Sequence, residues 1–196
     1  MTAFRLGLTG SIGMGKSTTA QFLRDHGAEV WDADAAVHRL YDQGGAAVAP
    51  VAALCPAARV DGRIDRAALK HWIGTDPSAL AQLESVVHPL VAADRDHFAA
   101  GCQSDIAVFD IPLLFEKGTQ AMMDATLLVT APPDLQKSRV MARGTMTEDQ
   151  FALILSRQMP DAEKRQRATH IVETLSMDQT RAYVQALVSY IRGRHA

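Results

Sequence analysis

Short apolar runs recur along the chain at Phe4–Thr9, Glu29–Trp31, Ile106–Asp110, Ala125–Thr130 and His170–Glu173. Each is too short for a helix and is set off from the next by glycine, proline or a stretch with helical spacing, so each reads as a buried strand. Strands that are apolar on both faces and alternate with helices imply an α/β fold: a doubly wound five-stranded parallel sheet covered on both sides. Ligands of such sheets bind beyond the carboxyl ends of the strands. That directs attention to the segment after the first strand and to Asp32-Ala33-Asp34 after the second.

The pattern elsewhere is helical. Residues 46–103 carry no strand signal, while Arg66–Gly74 and Ser78–Ala100 have helical spacing, which predicts a helical insertion between the second and third strands. His88-Pro89 is expected to mark a helix boundary there. Residues 134–168 are helical and rich in cations (Lys137, Arg139, Arg143, Arg157, Lys164, Arg165, Arg167), either a solvated face or a lid turned toward phosphate. Ser176 and Gln179 have capping-box spacing before a last helix. On that helix Tyr183, Leu187, Tyr190 and Ile191 share a face expected to pack on the core. All of this suits one domain over residues 1–196.

Between the first strand and a helix-compatible stretch lies Gly10-Ser11-Ile12-Gly13-Met14-Gly15-Lys16-Ser17, followed by Thr18. It fits the pattern G-x-x-x-x-G-K-[ST] at every constrained position. Glycines let the chain curl until backbone N–H groups point inward at phosphates, and the following helix N-terminus adds positive potential. The lysine reaches the β- and γ-phosphates and the hydroxyl ligates Mg²⁺. The alternative, a glycine-rich turn with no ligand, does not call for the whole pattern between a strand and a helix. Residues 10 and 13–18 are therefore expected to hold a nucleoside triphosphate.

Composition narrows the class without naming the reaction. A net charge of −2, with 21% charged and 47% hydrophobic residues, gives no global pull toward nucleic acid or membrane. Cys55 and Cys102 form no ligand spacing, and the first strand begins at Phe4, too early for a signal peptide to precede it; a cytoplasmic protein is expected. The chain contains no asparagine, so the Asn-Lys-x-Asp element of guanine-reading switches is absent, as is the Leu-Ser-Gly-Gly-Gln signature of transport ATPases. The histidines have no zinc spacing.

Several side chains then stand out. A kinase needs a carboxylate to orient and deprotonate its acceptor. Asp32 and Asp34 supply two candidates, one expected to cap the next helix and the other to be catalytic, and spacing does not assign them. Asp110 ends an apolar strand, the form of a Walker B acid that acts on Mg²⁺ directly or through water. Pro112, Leu113, Leu114 and Glu116 would add an apolar wall and a carboxylate near the same crevice. Arg139 and Arg143 share a helix face and would neutralise transferring phosphoryl oxygens, unless they are a surface pair beside acids such as Asp134.

Taken together, Leu8–Ser17, Asp32–Asp34, Ile64–Leu69, His88-Pro89, Asp110–Glu116 and Gln136-x-x-Arg139-x-x-x-Arg143 resemble the dephospho-coenzyme A kinase family, with Arg157-Gln158 and Lys164-Arg165 in the expected lid region. The resemblance runs in order from about residue 6 to 172. It implies that ATP phosphorylates the ribose 3′-hydroxyl of dephospho-coenzyme A, with Asp34 as base and Lys16, Arg139 and Arg143 in the catalytic set. It also implies that Asp32, Asp34, His88, Pro112, Leu113, Leu114 and Glu116 meet the substrate, and that Ser17 and Asp110 serve Mg²⁺. Residues 46–103 would then form the coenzyme A-binding insertion and 134–168 the lid of a monomer with a small-molecule substrate. The chain departs from the family pattern at Ser11, at His38, and at Thr174 and Ser176, where the family carries Gly, often Arg, Asn and Gly. The last two positions fall in the segment expected beside the adenine.

Overall fold

The computed structural model describes residues 3–195. Phe4–Thr9 is strand β1, and its last four residues are buried. Helix α1 spans Lys16–Asp25 and strand β2 Glu29–Asp32. The chain then leaves the sheet and divides into two compact units, one running from Asp32 to Gly101 and the other holding the flanking sequence on either side.

The Asp32–Gly101 unit contains α2 (Ala33–Tyr41), α3 (Val48–Leu54), β3 (Arg59–Val60), β4 (Arg63–Ile64), α4 (Arg66–Thr75) and α5 (Ala79–Gly101). Leu40, Tyr41, Val48, Val51, Ile64, Leu69, Leu83 and Val87 form its core. Two expectations fail here. The insertion does contain strands: β3 and β4 pair as an antiparallel hairpin, with Arg59 opposite Ile64. Its turn is Asp61-Gly62, both at positive φ (48° and 77°), the conformation that two-residue hairpin loops require. Pro89 does not end a helix either, because α5 runs through it. The helix absorbs the lost N–H by burying Leu83 and Val87 on one side while Pro89 stays on the exposed side.

In the other unit the chain continues through β5 (Ile106–Asp110), β6 (Ala125–Thr130), α6 (Pro133–Ala142), α7 (Glu148–Ser156), α8 (Asp161–Arg167), β7 (His170–Glu173) and α9 (Met177–His195). The sheet is parallel, in the order β2-β5-β1-β6-β7. Phe4 lies opposite Ile106 and Leu8 opposite Asp110, while Leu6 pairs with Ala125. The chain leaves β1 toward β2, past β5, and leaves the neighbouring β6 the other way, toward β7, so the connections diverge between β1 and β6 and the crevice beyond their carboxyl ends is where such a sheet accepts a ligand. Leu6, Leu8, Phe22, Leu23, Val108, Leu127, Val129, Val184, Leu187 and Ile191 are the core that holds α1 and α9 to the sheet. Tyr190 is not part of it: its ring is about half exposed, edge-on to His170, with the Arg194 guanidinium 5.1 Å from its centre.

An exposed proline inside a helix removes a backbone hydrogen bond and crowds the preceding turn, at a cost of about 3 kcal/mol relative to alanine. Pro89→Ala is therefore expected to raise thermal stability, and an unchanged or lower Tm by calorimetry would mean that α5 is already relaxed around the proline.

Candidate active site

The loop from Gly10 to Gly15 joins β1 to α1 and is held in a conformation that L-residues resist. Gly13 and Gly15 have φ of 79° and 93°. A Cβ on Gly10 would stand 2.6 Å from the Val129 carbonyl oxygen, and one on Gly13 would stand 2.6 Å from Val140 Cγ2. No side chain caps α1 and no acid occupies its first turn, so its first N–H groups and its dipole stay available to an anion. The outward-facing polar atoms of the loop are bonded from distant segments. Gln136 Nε2 donates to Ile12 O (2.7 Å), Thr174 Oγ1 donates to Met14 O (2.8 Å), and Ala131 N donates to Met14 Sδ (2.9 Å). Ile12 N donates to Gln158 Oε1 at 3.4 Å.

Lys16 opens α1, and its Nζ forms an ion pair with Oδ1 of Asp110 at the carboxyl end of β5. The register explains the meeting, since Leu8 and Asp110 are opposite one another and the loop returns over that strand end. Asp110 is almost fully buried, so the cation beside it offsets a large desolvation cost. Ser17 is exposed in the first turn of α1, with Thr18 half-buried beside it, and the Ser17 hydroxyl has no partner among the described residues.

Of the two aspartates, one caps the helix that follows. Asp32 is the N-cap of α2, with Oδ1 accepting from Ala35 N at 2.9 Å. Asp34 sits in the first turn of α2 with its side chain exposed and no partner among the described residues. His88 is exposed on α5, its Nε2 3.7 Å from Glu84 Oε1 one turn earlier.

The run 112–116 divides between roles. Pro112 O accepts from Thr9 Oγ1 (3.1 Å), and Leu113 is partly exposed. Leu114 is completely buried, with Cδ2 2.9 Å from where a Cβ on Gly7 would lie, so it packs beneath the sheet and offers a ligand no surface, contrary to expectation. Glu116 is held within the protein through one of its oxygens. Its Oε1 takes both Lys164 Nζ (2.9 Å) and Met159 N (2.9 Å), which ties the segment around α8 to the sheet. Lys164 is wholly buried and also donates to Ser11 Oγ (3.4 Å), the serine that replaces the family glycine. Burial pushes the Glu116 carboxyl up, but the Lys164 and Met159 hydrogen bonds outweigh it and hold the group below the usual carboxylate range.

The two arginines have different surroundings. Arg139, half-buried on α6, donates from Nη1 to Thr174 Oγ1 (2.8 Å) and from Nη2 to Thr174 O (2.6 Å). Arg143 caps the C-terminal end of α6, is exposed, and its guanidinium has no partner among the described residues. The α8 end of the cationic stretch is docked rather than solvated. Asp161 accepts from Thr130 Oγ1 (3.0 Å) and from Arg165 Nε (2.7 Å), and Arg165 Nη2 reaches Thr130 Oγ1 (3.0 Å) and Glu173 (3.3 Å).

Sequence reasoning missed Gln136, Lys164 and Thr174, the residues that clamp the loop. Lys164 looked like one more cation in a charged helix, and Thr174 stood out only because it occupies the family asparagine position. The signal available for Gln136 was its place three residues before Arg139 in the quoted family spacing.

A family described as dephospho-CoA kinase matches residues 4–178. The chain is similar to a dephospho-CoA kinase of Cereibacter sphaeroides, 66% identical over 192 residues and covering 98% of each. Among solved structures it is similar to TT1252 from Thermus thermophilus, with a TM-score of 0.84 and 37% identity over 96% of this chain and 98% of that one. A dephospho-CoA kinase from Campylobacter jejuni shares the fold at 20% identity, with a TM-score of 0.67 over 97% of this chain and 98% of that one.

Removing one member of a buried ion pair costs about 3–5 kcal/mol, whereas replacing both with apolar groups is often neutral. Lys164→Met should therefore destabilise the fold by that order, and Lys164→Met/Glu116→Leu should recover most of the loss in a denaturant melt. A double variant no more stable than the single one would show that the pair is not what Lys164 supports. Because the folded Glu116 pKa is lowered, its stabilisation is complete above the unfolded value of about 4.3 and fades as pH falls through the folded value. The Tm advantage of the wild type over Glu116→Gln should shrink accordingly below about pH 4.

Proposed function

The chain belongs to the dephospho-CoA kinase family, which catalyses the last step of coenzyme A biosynthesis by phosphorylating the ribose 3′-hydroxyl of dephospho-coenzyme A with ATP; from that premise we propose how its own residues divide the work. Residues 10–18 bind the triphosphate, with loop N–H groups and the α1 N-terminus facing its oxygens and Lys16 against the β- and γ-phosphates. When the nucleotide binds, its phosphate oxygens compete with Asp110 for the Lys16 ammonium, which lies at the opening of α1 just before the chain's Ser17 and Thr18 hydroxyls.

The Ser17 hydroxyl and the Asp110 carboxylate fit Mg²⁺. A magnesium ion that keeps several waters takes one or two protein oxygens and the rest from phosphate, and Ser17 with Asp110 supplies that number. Held there, Mg²⁺ would supply positive charge against the phosphate oxygens.

Asp34 is the general base. It orients the acceptor hydroxyl and takes its proton as the oxygen attacks the γ-phosphorus and the bond to the β-phosphate oxygen breaks, releasing ADP. The observation that carries this assignment is the division of labour in α2: Asp32 Oδ1 is committed to Ala35 N, while the Asp34 carboxylate is exposed and unpartnered among the described residues. Asp32, His88, Pro112 and Leu113 remain substrate contacts in this reading. Arg139 and Arg143 neutralise the equatorial oxygens, where a guanidinium can bind two at once. Residues 46–103 bind the coenzyme A moiety, and the lid reading of 134–168 narrows to the stretch around Arg143 and α7, since α8 is docked. We place the enzyme in the cytoplasm, where its ATP is drawn from, and as a monomer, since one chain carries every residue assigned.

Asp34→Asn should lower kcat by about 10²–10⁴-fold with the KM for ATP and the Tm unchanged. Asp32→Ala should instead lower stability by about 0.5–2 kcal/mol through loss of the cap. The reverse pattern in steady-state assays and melts would exchange the two roles. Arg143→Lys should reduce kcat by about 10³-fold without moving the Tm; near-normal turnover would return Arg143 to the solvated surface.

A further inference from the structure

Thr174 lies just past the end of β7, and its atoms meet both the phosphate loop and Arg139. Its N–H donates to Thr130 O at 2.9 Å, which continues the β6–β7 pairing by one residue and fixes the backbone. Its hydroxyl accepts from Arg139 Nη1 at 2.8 Å and donates to Met14 O at 2.8 Å, so a single buried oxygen stands between the guanidinium and the loop. Its carbonyl accepts the other arm of the same guanidinium at 2.6 Å. The fit is tight on the loop side as well: a Cβ on Gly15 would stand 3.1 Å from Thr174 Oγ1.

We infer that Thr174 is a positioning residue, one that sets the Arg139 guanidinium at a fixed distance from the phosphate loop. The inference rests on the reading of Arg139 as a transition-state cation. A hydroxyl suits this place because it accepts from a charged donor while donating to a carbonyl, and a methyl of the same size does neither. The second carbonyl contact makes the grip two-pronged, which fixes the plane of the guanidinium as well as its position. Two of its five N–H donors are used in the grip, and the remainder are available to phosphate. Misplacing a transition-state group by about 1 Å can cost on the order of 10²-fold in rate.

The test is a double-variant cycle in kcat at saturating ATP and dephospho-coenzyme A, measured well below the Tm of every variant. Thr174→Ser keeps the hydroxyl and should stay within about twofold of wild type. Thr174→Val keeps the shape, loses the hydroxyl's contacts with Arg139, Met14 O and Thr130 O, and should lower kcat by about 10- to 100-fold. Arg139→Lys should lower kcat sharply, and adding Thr174→Val to it should cause little further loss, because the group being positioned is already gone. A normal Arg139→Lys would remove the role assigned to Arg139. A slow Arg139→Lys with a normal Thr174→Val would overturn the inference about Thr174 and leave Arg139 in place. Losses that multiply in the double variant, or a Thr174→Ser as slow as Thr174→Val, would equally overturn it, since the hydroxyl would then act on the loop alone or not at all.

Discussion

A loop that turns its N–H groups inward toward phosphate must turn its carbonyls outward, and those carbonyls need donors from elsewhere. Here the loop is buried under the segments that follow β6, so solvent cannot serve all of them. Gln136 supplies a donor for Ile12 O and Thr174 one for Met14 O, while the buried Ser11 hydroxyl receives Lys164. These side chains come from α6, from the residue after β7 and from α8. The loop's geometry is therefore a property of the whole second half of the chain, although its eight residues are contiguous.

Charge is arranged around the same constraint. Two cations, Lys16 and Lys164, flank the loop, and each has its own carboxylate, Asp110 at the end of β5 and Glu116 a few residues on. The pairs differ in exposure. Lys16 lies at the opening of α1 with a modest exposed fraction, where its ammonium can be reached from solvent. Lys164 has no exposed surface, and Glu116 is further tied to Met159 N, so that pair holds the structure together. Of two lysines beside one loop, burial closes Lys164 off as a strut and leaves Lys16 open to solvent.

Much of this was legible in the residue order. The five sheet strands are continuous apolar runs, and a buried strand writes its position locally whatever surrounds it. The phosphate loop was legible because its glycines answer a backbone requirement that no neighbour can remove, as the positive φ at Gly13 and Gly15 shows. The hairpin at Arg59–Ile64 also had a local signal in Asp61-Gly62, which was overlooked because two-residue strands carry no apolar alternation. Pro89 misled for the opposite reason: its local effect is real, but burial of Leu83 and Val87 across the helix outweighs it.

The division between Asp32 and Asp34 marks the limit of local reading. Either residue can cap a helix, and only the start of α2 at Ala33 commits Asp32 to Ala35 N. The burial of Leu114 and the pairing of Glu116 with Lys164 lie further beyond that limit, because they depend on which strand runs beside which. Two partners of Thr174, Arg139 and Met14, are 35 and 160 residues away in sequence. The sequence by itself determined the strands and the course of the loop, since these follow from periodicity and backbone conformation within a few residues. Which polar side chain holds which was decided by the tertiary structure alone: a hydrogen bond needs its two atoms within about 3 Å of each other, and only the folded chain brings them there.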